Sequence, residues 1–364
     1  MNILFAVCGE GLGHASRSTK LAAYLAQHGH TCTFASYGKA YDFIPYHGLP
    51  VHDSRRDGTR GGDDVLFSLA KTLWLSKTVP VSLLLSYRDA RRLLKDQHTD
   101  LLIADTMYAA GYAAKSLGIR NAFITNQNTF AAAASPDAAY WNYLSRIVQK
   151  YLQKVPDIVL VPDFPPPDTI SGHNFLIPEA EISHYRFVGP ILDRDPAAIP
   201  CSRETIFASF GGEPFKLPLY TMLREIADEL PDHTFEVFST TPGLPENTGN
   251  FQTFGYVPDL QPYLAKSRVA ILHGGLTSLM EALSLGKPVV MIIDPYHPEQ
   301  WNNAKKIEEM GAGIMVLGNT VTKEKLDDAI SRALTMTPPD LRQLFTAPDS
   351  RETIRGILES LHTS

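Results

Sequence analysis

Short apolar runs rich in β-branched residues alternate with helical patterns along almost the whole chain, and this alternation constrains the fold most. Strands separated by helices build parallel sheets with helices on both faces. We therefore predict an α/β fold with two doubly wound, Rossmann-like parallel sheets that face each other across a cleft. We expect the strands near residues 3–8, 31–36, 101–104, 122–125 and 158–161, and then near 206–210, 235–238, 269–272, 289–293 and 314–317.

A chain of 364 residues has a natural length for two domains. A proline-rich stretch follows residue 161, and the segment 190–200 is rich in proline and aspartate. We predict a first domain at residues 1–190, a linker at 191–200 and a second domain at 201–345. The remaining residues, 346–364, have a helical pattern, and we expect this C-terminal helix to pack back on the first domain.

The composition excludes several classes of protein. The formal net charge of -6 argues against a nucleic-acid-binding surface, which needs a basic footprint. No apolar run is long enough to span a membrane. The apolar residues 3–8 have no basic residues before them, so we expect them to form a buried strand and not a signal peptide. Three widely spaced cysteines suit a reducing compartment, so we expect a cytoplasmic protein.

The acidic average hides one basic segment, residues 55–95, which we call the basic island. It holds nine lysines and arginines against four aspartates. Apolar residues in it recur at helical spacing and are followed by further arginines. An apolar face with basic neighbours suits an anionic membrane surface or a lipid-phosphate ligand. An ordinary buried helix with a solvated basic side, or a soluble anionic ligand, explains the segment as well.

A glycine-rich loop, G-E-G-L-G-H at residues 9–14, follows the first predicted strand. Its glycines permit a sharp turn and a close approach to a ligand, and the following helix start offers unpaired N–H groups. The spacing differs from the dinucleotide fingerprint G-x-G-x-x-G, and no acidic residue ends the second strand near Ser36. The loop by itself also fits a tight turn with an incidental histidine.

The segment after the predicted strand 269–272 carries more chemistry. It has the sequence HGGLTSLMEAL at residues 273–283, then GKPVV at 286–290 and EQWNNA at 299–304. A glycine turn that opens a helix with Thr277 and Ser278 predicts an anion site suited to a diphosphate. Glu281 lies on the same helical face as Ser278, and its carboxylate can accept two hydrogen bonds from a ribose diol.

The spacing H-x-G-x-x-S-x-x-E, followed by G-x-P and E-Q-x-x-N-A, resembles the nucleotide-sugar box of two-domain (GT-B) glycosyltransferases. Plant-type UDP-glycosyltransferases carry this box most visibly, and the bacterial peptidoglycan N-acetylglucosaminyltransferase is similar in layout. The segments DLLIAD at 100–105, LGI at 117–119 and NQN at 126–128 also resemble the first half of these enzymes. The resemblance is strongest over 269–313 and weakest over 50–95 and 165–200.

The resemblance implies that the first domain binds the acceptor and the second binds the nucleotide-sugar. It implies sugar contacts by Glu299 and Gln300, and nucleoside contacts by Tyr256, Val257 and the ribose-binding Glu281. In this chain Thr277 stands where the plant box has asparagine, and Tyr256 stands where it has tryptophan. The implied diphosphate-binding residues are Gly11, Gly13, Gly211, Gly212, His273, Gly274, Gly275, Thr277 and Ser278.

The family's general base and its orienting aspartate match His14 and Asp105. A histidine suits proton abstraction from a hydroxyl at neutral pH, and a carboxylate partner raises its basicity. Asp105 could instead cap a helix, and His14 could instead bind phosphate or sugar. The three cysteines are too few and too widely spaced to predict a metal site, so we expect no metal and no cofactor beyond the nucleotide-sugar co-substrate.

The resemblance therefore implies an inverting, metal-independent glycosyltransferase that uses a nucleotide-sugar, which we expect to be UDP-linked, and an unknown hydroxyl acceptor. The acceptor is lipid-linked or anionic if the basic island binds it, and the protein would then contact a membrane peripherally. A UDP-N-acetylglucosamine 2-epimerase-like enzyme of the same fold is the first alternative. A non-catalytic nucleotide-sugar-binding subunit is the second.

Overall fold

The computed structural model describes residues 1–57, 79–130, 137–193, 195–210, 216–257, 259–346 and 349–363. Within these ranges the chain forms a seven-stranded and a six-stranded sheet. Every pair of neighbouring strands in both sheets is parallel. The structure thus confirms the predicted α/β fold of two doubly wound sheets.

The first sheet has the strand order β3-β2-β1-β4-β5-β6-β7, so the chain reverses direction across the sheet between β1 and β4. Ligands bind such sheets at this switch point, beyond the carboxyl ends of the strands. The strands are β1 (Asn2–Val7), β2 (Thr31–Ser36), β3 (Val51–Asp53), β4 (Leu101–Asp105), β5 (Arg120–Ile124), β6 (Ile158–Val161) and β7 (Tyr185–Phe187). The helices around it are α1 (Leu12–Gln27), α2 (Gly38–Phe43), α3 (Val79–Asp96), α4 (Tyr108–Leu117) and α5 (Ala138–Lys154).

The second sheet has the order β10-β9-β8-β11-β12-β13, with its own switch point between β8 and β11. The inner strand β12 is apolar and buried along its whole length, as expected for a strand covered by helices on both faces. The strands are β8 (Thr205–Ala208), β9 (Thr234–Phe238), β10 (Phe251–Phe254), β11 (Ser267–Leu272), β12 (Val289–Ile293) and β13 (Gly313–Leu317). The helices are α6 (Leu217–Glu229), α7 (Gln261–Lys266), α8 (Leu276–Ser284), α9 (Pro298–Glu309), α10 (Lys323–Thr335) and α11 (Ser350–Thr363).

Two helix starts contain predicted site residues. Helix α1 starts at Leu12 because Gly11 is the last residue with extended backbone, so His14 lies in the first turn of the helix. Helix α9 starts at Pro298, a residue that suits a first helical turn, after His297 caps it. Glu299 and Gln300 therefore belong to a helix start and not to the loop before it.

Three short strands have no counterpart in the predicted set: β3, β7 and β10. All three lie at sheet edges, where a strand is paired on one side and partly exposed. An edge strand needs no continuous apolar run, which explains why the apolar pattern does not reveal it.

The C-terminal helix α11 lies against the first sheet. Ile354 and Leu358 are fully buried in the first core together with residues of β1 and α1. The Ser350 hydroxyl donates a hydrogen bond to the carbonyl oxygen of Pro190 at 2.8 Å. Ile191, the first residue of the predicted linker, is buried in the same core.

In the ranges that the structure describes, no helix combines the length and the apolar character needed to cross a membrane.

Candidate active site at the meeting of the two sheets

His14 and Asp105 lie together at the carboxyl ends of β1 and β4, the switch point of the first sheet. The His14 Nδ1 atom is 2.7 Å from Asp105 Oδ1. Asp105 is fully buried at the end of β4, whereas a quarter of the His14 side chain is exposed. The pair therefore has a fixed, buried carboxylate and an imidazole that remains accessible on one side.

Two further side chains of α1 hold the same carboxylate. Arg17 donates to both Asp105 oxygens, from Nε at 2.6 Å and from Nη2 at 2.5 Å. The Ser18 hydroxyl donates to Asp105 Oδ2 at 3.1 Å. This bidentate geometry is the strong form of an arginine–carboxylate pair. It explains how a charged group can be buried at the end of a strand, and it shows that Asp105 does not cap a helix.

The ionised state of Asp105 follows from these contacts. Burial would raise the pKa of its carboxyl, but the charges and hydrogen bonds of Arg17 and His14 outweigh burial and hold the pKa well below its usual range. Asp105 is thus a carboxylate at any physiological pH. The next residue, Thr106, has φ +57, a left-handed conformation that is unusual for a β-branched residue, and it turns the chain sharply after the carboxylate.

The donor-side turn of the second half has the geometry that its glycines predict. Gly274 has φ +81, and a Cβ atom there would lie 2.9 Å from Ile293 Cγ2 and 3.3 Å from Gln300 Cβ. Glycine is therefore required at this position both for its backbone conformation and for space. Gly275 is the N-cap of α8, Thr277 and Ser278 lie in the first turn, and the His273 ring packs against Gly275.

This helix start meets the start of α1. The Thr277 hydroxyl donates to the carbonyl oxygen of Gly13 at 3.4 Å, and a Cβ on Gly13 would lie 3.3 Å from Thr277 Oγ1. A small cavity beside this contact is lined by residues of both halves, among them Arg17, Thr277 and Met280. The N-termini of two helices therefore converge within one turn of His14, which concentrates positive electrostatic potential there.

Glu281, predicted to bind ribose, lies one turn further along α8 and forms an ion pair with the first half. Its Oε1 atom accepts a hydrogen bond from Lys20 Nζ at 2.6 Å. Both side chains are mostly buried, with 10% of Lys20 and 13% of Glu281 exposed. The structure thus pairs Lys20 of α1 directly with Glu281, the residue predicted to bind ribose.

The predicted sugar ligands lie in the first turn of α9. Glu299 Oε1 accepts a hydrogen bond from the buried Asn126 amide at 2.7 Å, so a residue after β5 of the first sheet reaches it. Gln300 uses its side-chain oxygen within its own loop, where it accepts from the Asp294 N–H at 3.0 Å. The Gln300 amide nitrogen takes no part in that contact, and as a hydrogen-bond donor it is suited to a sugar hydroxyl.

The predicted nucleoside ligands, Tyr256 and Val257, follow β10. The Tyr256 ring packs against Tyr46 at 5.0 Å and against Phe43 at 6.0 Å between ring centroids. Val257 packs on the core beneath α8. Tyr256 therefore contacts the first half through its ring, whereas Thr277, Glu281 and Glu299 contact it through hydrogen bonds.

The remaining predicted site residues are placed as follows. Gly11 has extended backbone immediately before α1, and the space around its Cα is open. Gly211 and Gly212 lie outside the described residues, as do residues 58–78 of the basic island.

Sequence reasoning missed Arg17, Lys20 and Asn126 as members of this site. Arg17 follows His14 by three residues and shares its helical face, which is the signal that could have revealed it. Lys20 follows Arg17 by the same step. Asn126 stands in the NQN segment at a strand's carboxyl end, but its contact with Glu299 spans 173 positions and depends on how the two halves pack.

Comparisons with known proteins agree with this architecture. Residues 1–179 match Glycosyl transferase family 1, and residues 233–350 match the Glycosyltransferase family 28 C-terminal domain. A glycosyltransferase of Methanosarcina mazei is 28% identical over 380 residues, covering 99% of this chain and 98% of the relative.

Two further similarities bear on the site and the fold. A UDP-N-acetylglucosamine–N-acetylmuramyl-(pentapeptide) pyrophosphoryl-undecaprenol N-acetylglucosamine transferase of Clostridioides difficile is 41% identical over 81 residues, 22% of this chain and 20% of the relative. The solved structure of the glycosyltransferase of kitacinnamycin superposes with a TM-score of 0.71 at 18% identity, covering 99% of this chain and 98% of the other. Glycosyltransferase family models match both halves of the chain and the architecture is shared, so the protein is a glycosyltransferase with the GT-B fold.

Proposed function

We propose that this glycosyltransferase is an inverting enzyme that transfers a sugar from a UDP-sugar to a hydroxyl acceptor, without a metal ion and with His14 as general base. The observation that carries the proposal is the 2.7 Å contact between His14 Nδ1 and Asp105 Oδ1. It lies at the sheet's switch point, opposite the helix start that is suited to a diphosphate.

The contacts of His14 favour a defined protonation state. Nδ1 lies 2.7 Å from Asp105 Oδ1, an acceptor at every relevant pH, and 3.0 Å from Arg17 Nη2, a donor; because the carboxylate is nearer, we assign the proton to Nδ1 as a donor to Asp105 Oδ1. The Nε2 atom then carries the lone pair. In the proposed reaction Nε2 takes the proton of the acceptor hydroxyl while its oxygen attacks the anomeric carbon. Asp105 orients the ring and stabilises the imidazolium that results.

The donor side supports the departure of the nucleotide. As the bond from the anomeric carbon to the diphosphate breaks, its electron pair moves to a phosphate oxygen. We propose that the N–H groups at the start of α8, with Thr277 and Ser278, stabilise this charge. Because base and leaving group lie on opposite sides of the sugar in this scheme, the anomeric configuration inverts. The name of the Clostridioides difficile relative supports UDP as the nucleotide.

For the acceptor, we infer a site on the first half beside His14. Helix α3, which holds most of the described residues of the basic island, has an exposed stripe at three- and four-residue spacing. Val81 and Leu84 form its apolar end, with 62% and 51% exposed. Arg88, Arg92 and Lys95 form its exposed basic end. This stripe supports a peripheral contact with an anionic lipid surface, and hence a lipid-linked or anionic acceptor.

A donor panel tests the proposed class. UDP-, dTDP- and GDP-sugars are offered with and without a lipid extract and with a chelator, while thermal shift and nucleotide release are measured. We expect a shift and slow hydrolysis with UDP-sugars that the chelator does not change. Proton NMR of the released sugar should show the inverted anomer. If no nucleotide shifts the melting temperature, the proposed donor class is wrong.

The role of His14 is tested separately with His14→Ala. We expect transfer or hydrolysis to fall by about a hundredfold to ten-thousandfold while the Kd for UDP changes little, because the base acts on the acceptor side. His28→Ala, an exposed histidine at the end of the same helix, is the matched control and should be unaffected. Unchanged turnover in His14→Ala would remove His14 from the role of base.

A further inference from the structure

We propose that Lys20, a residue of the first half, positions the Glu281 carboxylate of the second half for the ribose of the donor. Recognition of the ribose hydroxyls would then depend on contact between the two halves. This inference rests on the proposed function, since it takes a nucleotide-sugar as the ligand. It assigns to Lys20 a positioning role that the nucleotide-sugar motifs do not contain.

The contact itself is short, buried and made across the cleft. Lys20 Nζ donates to Glu281 Oε1 at 2.6 Å, from the third turn of α1 to the second turn of α8. A charged pair that is about nine-tenths buried is ordered and only weakly screened by solvent. Lysine and glutamate that far inside a protein are seldom found except as partners.

The surroundings of Lys20 make Glu281 its principal partner. Asp193, on the segment after β7, is 3.8 Å from Nζ and is nearly half exposed. Burial would lower the pKa of Lys20, but the charges of Glu281 and Asp193 outweigh burial and raise it. The lysine is therefore a permanent cation that donates a charge-assisted hydrogen bond to Glu281.

The pairing leaves one side of Glu281 for a ligand. Lys20 occupies Oε1, and in the described part of the chain Oε2 has no hydrogen-bond partner, although it is not sealed from solvent. An oxygen fixed by its neighbour and open on its other side is preorganised to accept from a ribose hydroxyl. Without the lysine, the carboxylate would gain rotamer freedom and lose this orientation.

The test measures ribose discrimination instead of overall affinity. Isothermal titration with UDP and with 2′-deoxy-UDP gives a ratio of Kd values for each variant. We expect wild-type protein to prefer UDP by about tenfold, the usual effect of one charge-assisted hydrogen bond. In Lys20→Met the ratio should fall to within about twofold, as in Glu281→Gln, and Lys20→Arg should restore most of it. If Lys20 had only a structural role, Lys20→Met would weaken the binding of both nucleotides equally and leave the ratio of Kd values unchanged.

Controls separate the possible outcomes. Lys150→Met, an exposed lysine on α5, should keep the wild-type ratio. Melting temperatures without nucleotide show whether each variant folds, and Lys20→Arg keeps the charge if Lys20→Met does not fold. If Lys20→Met keeps the wild-type preference for UDP over 2′-deoxy-UDP, the inference is overturned. It is also overturned if Lys20→Met loses this preference and Lys20→Arg does not restore it. Wild type that binds UDP and 2′-deoxy-UDP equally also overturns it. Failure to bind any nucleotide would instead overturn the proposed donor class, and the inference with it.

Discussion

At the scale of single residues, the chemistry depends on a buried carboxylate whose neighbours decide its charge. Asp105 stays ionised because Arg17 supplies two hydrogen bonds and a full charge inside the first core. Asp57 is equally buried but accepts its hydrogen bond from the backbone N–H of Ala109, at the start of α4. Backbone N–H groups carry only partial charge. Burial therefore prevails at Asp57 and raises the pKa of its carboxyl to about 7.

This difference predicts a pH effect for Asp57→Asn. The pKa of Asp57 lies above the unfolded value of about 3.9, so the folded state favours the neutral acid. In wild type, the stabilising contribution of Asp57 to the free energy of unfolding is therefore fully present below about pH 4. It is lost as the pH rises towards about 7, and each unit of pKa shift corresponds to about 1.4 kcal/mol. Asparagine removes this dependence, so the variant should gain stability relative to wild type near pH 8 and not near pH 4.

Chemical denaturation at several pH values measures this effect. Asp53 is an exposed aspartate at the end of β3, and Asp53→Asn serves as the control. This control should show no comparable change in stability with pH. If Asp57→Asn is less stable than wild type near pH 8, the hydrogen bonds to the ionised carboxylate outweigh its burial, and the raised pKa is wrong.

At the scale of elements, buried amide side chains connect the loop after β5 to the donor-side turn. The N–H of Asn128 donates to the carbonyl oxygen of Asn174, whose side chain donates to Asn303 Oδ1 at 3.0 Å. Asn303 in turn donates to the carbonyl oxygen of Gly274 at 3.1 Å. This chain of hydrogen bonds fixes the turn that opens α8 through α9 and through the segment before β7. The turn is therefore supported from both halves of the protein.

We predict that Asn303→Ala lowers the free energy of unfolding by about 2–4 kcal/mol, because it leaves Gly274 and Asn174 without their buried partner. It should also weaken UDP binding, since the Gly274 turn loses its support. Lys305→Ala, at an exposed site on the same helix, should change either quantity by less than about 0.5 kcal/mol. Denaturant titration and calorimetry test both effects. Full stability in Asn303→Ala would show that the amide chain does not support the turn.

At the scale of the whole molecule, the two halves contact each other through the residues that were predicted to bind the donor. Thr277 and Glu281 contact α1, Glu299 contacts the loop after β5, and Tyr256 contacts Tyr46. A donor bound there would lie between the halves and close to His14. The exposed stripe of α3 belongs to the first half. A membrane bound to this stripe and a nucleotide bound between the halves would therefore occupy different parts of the molecule.

The proposed membrane contact predicts binding to anionic vesicles. Wild-type protein should co-sediment with phosphatidylglycerol vesicles at low salt, and less with phosphatidylcholine vesicles or at high salt. Replacing Arg88, Arg92 and Lys95 by serine should abolish most binding, since each charge contributes about 1 kcal/mol near such a surface. Lys305→Ser is the control for a basic residue elsewhere. Equal sedimentation of the triple variant and wild type would rule out α3 as the contact.

The sequence by itself determined the alternation of strands and helices, the parallel sheets, and the position of His14, Asp105 and the Gly274 turn at the carboxyl ends of strands. These features follow from local periodicity and backbone geometry, which neighbouring residues control. Only the tertiary structure decided which side chains meet. Arg17 and Asp105 are 88 positions apart, and Lys20 and Glu281 are 261 apart. Contacts of that separation depend on how helices rotate against their sheets and how the two halves pack, and no local pattern records either.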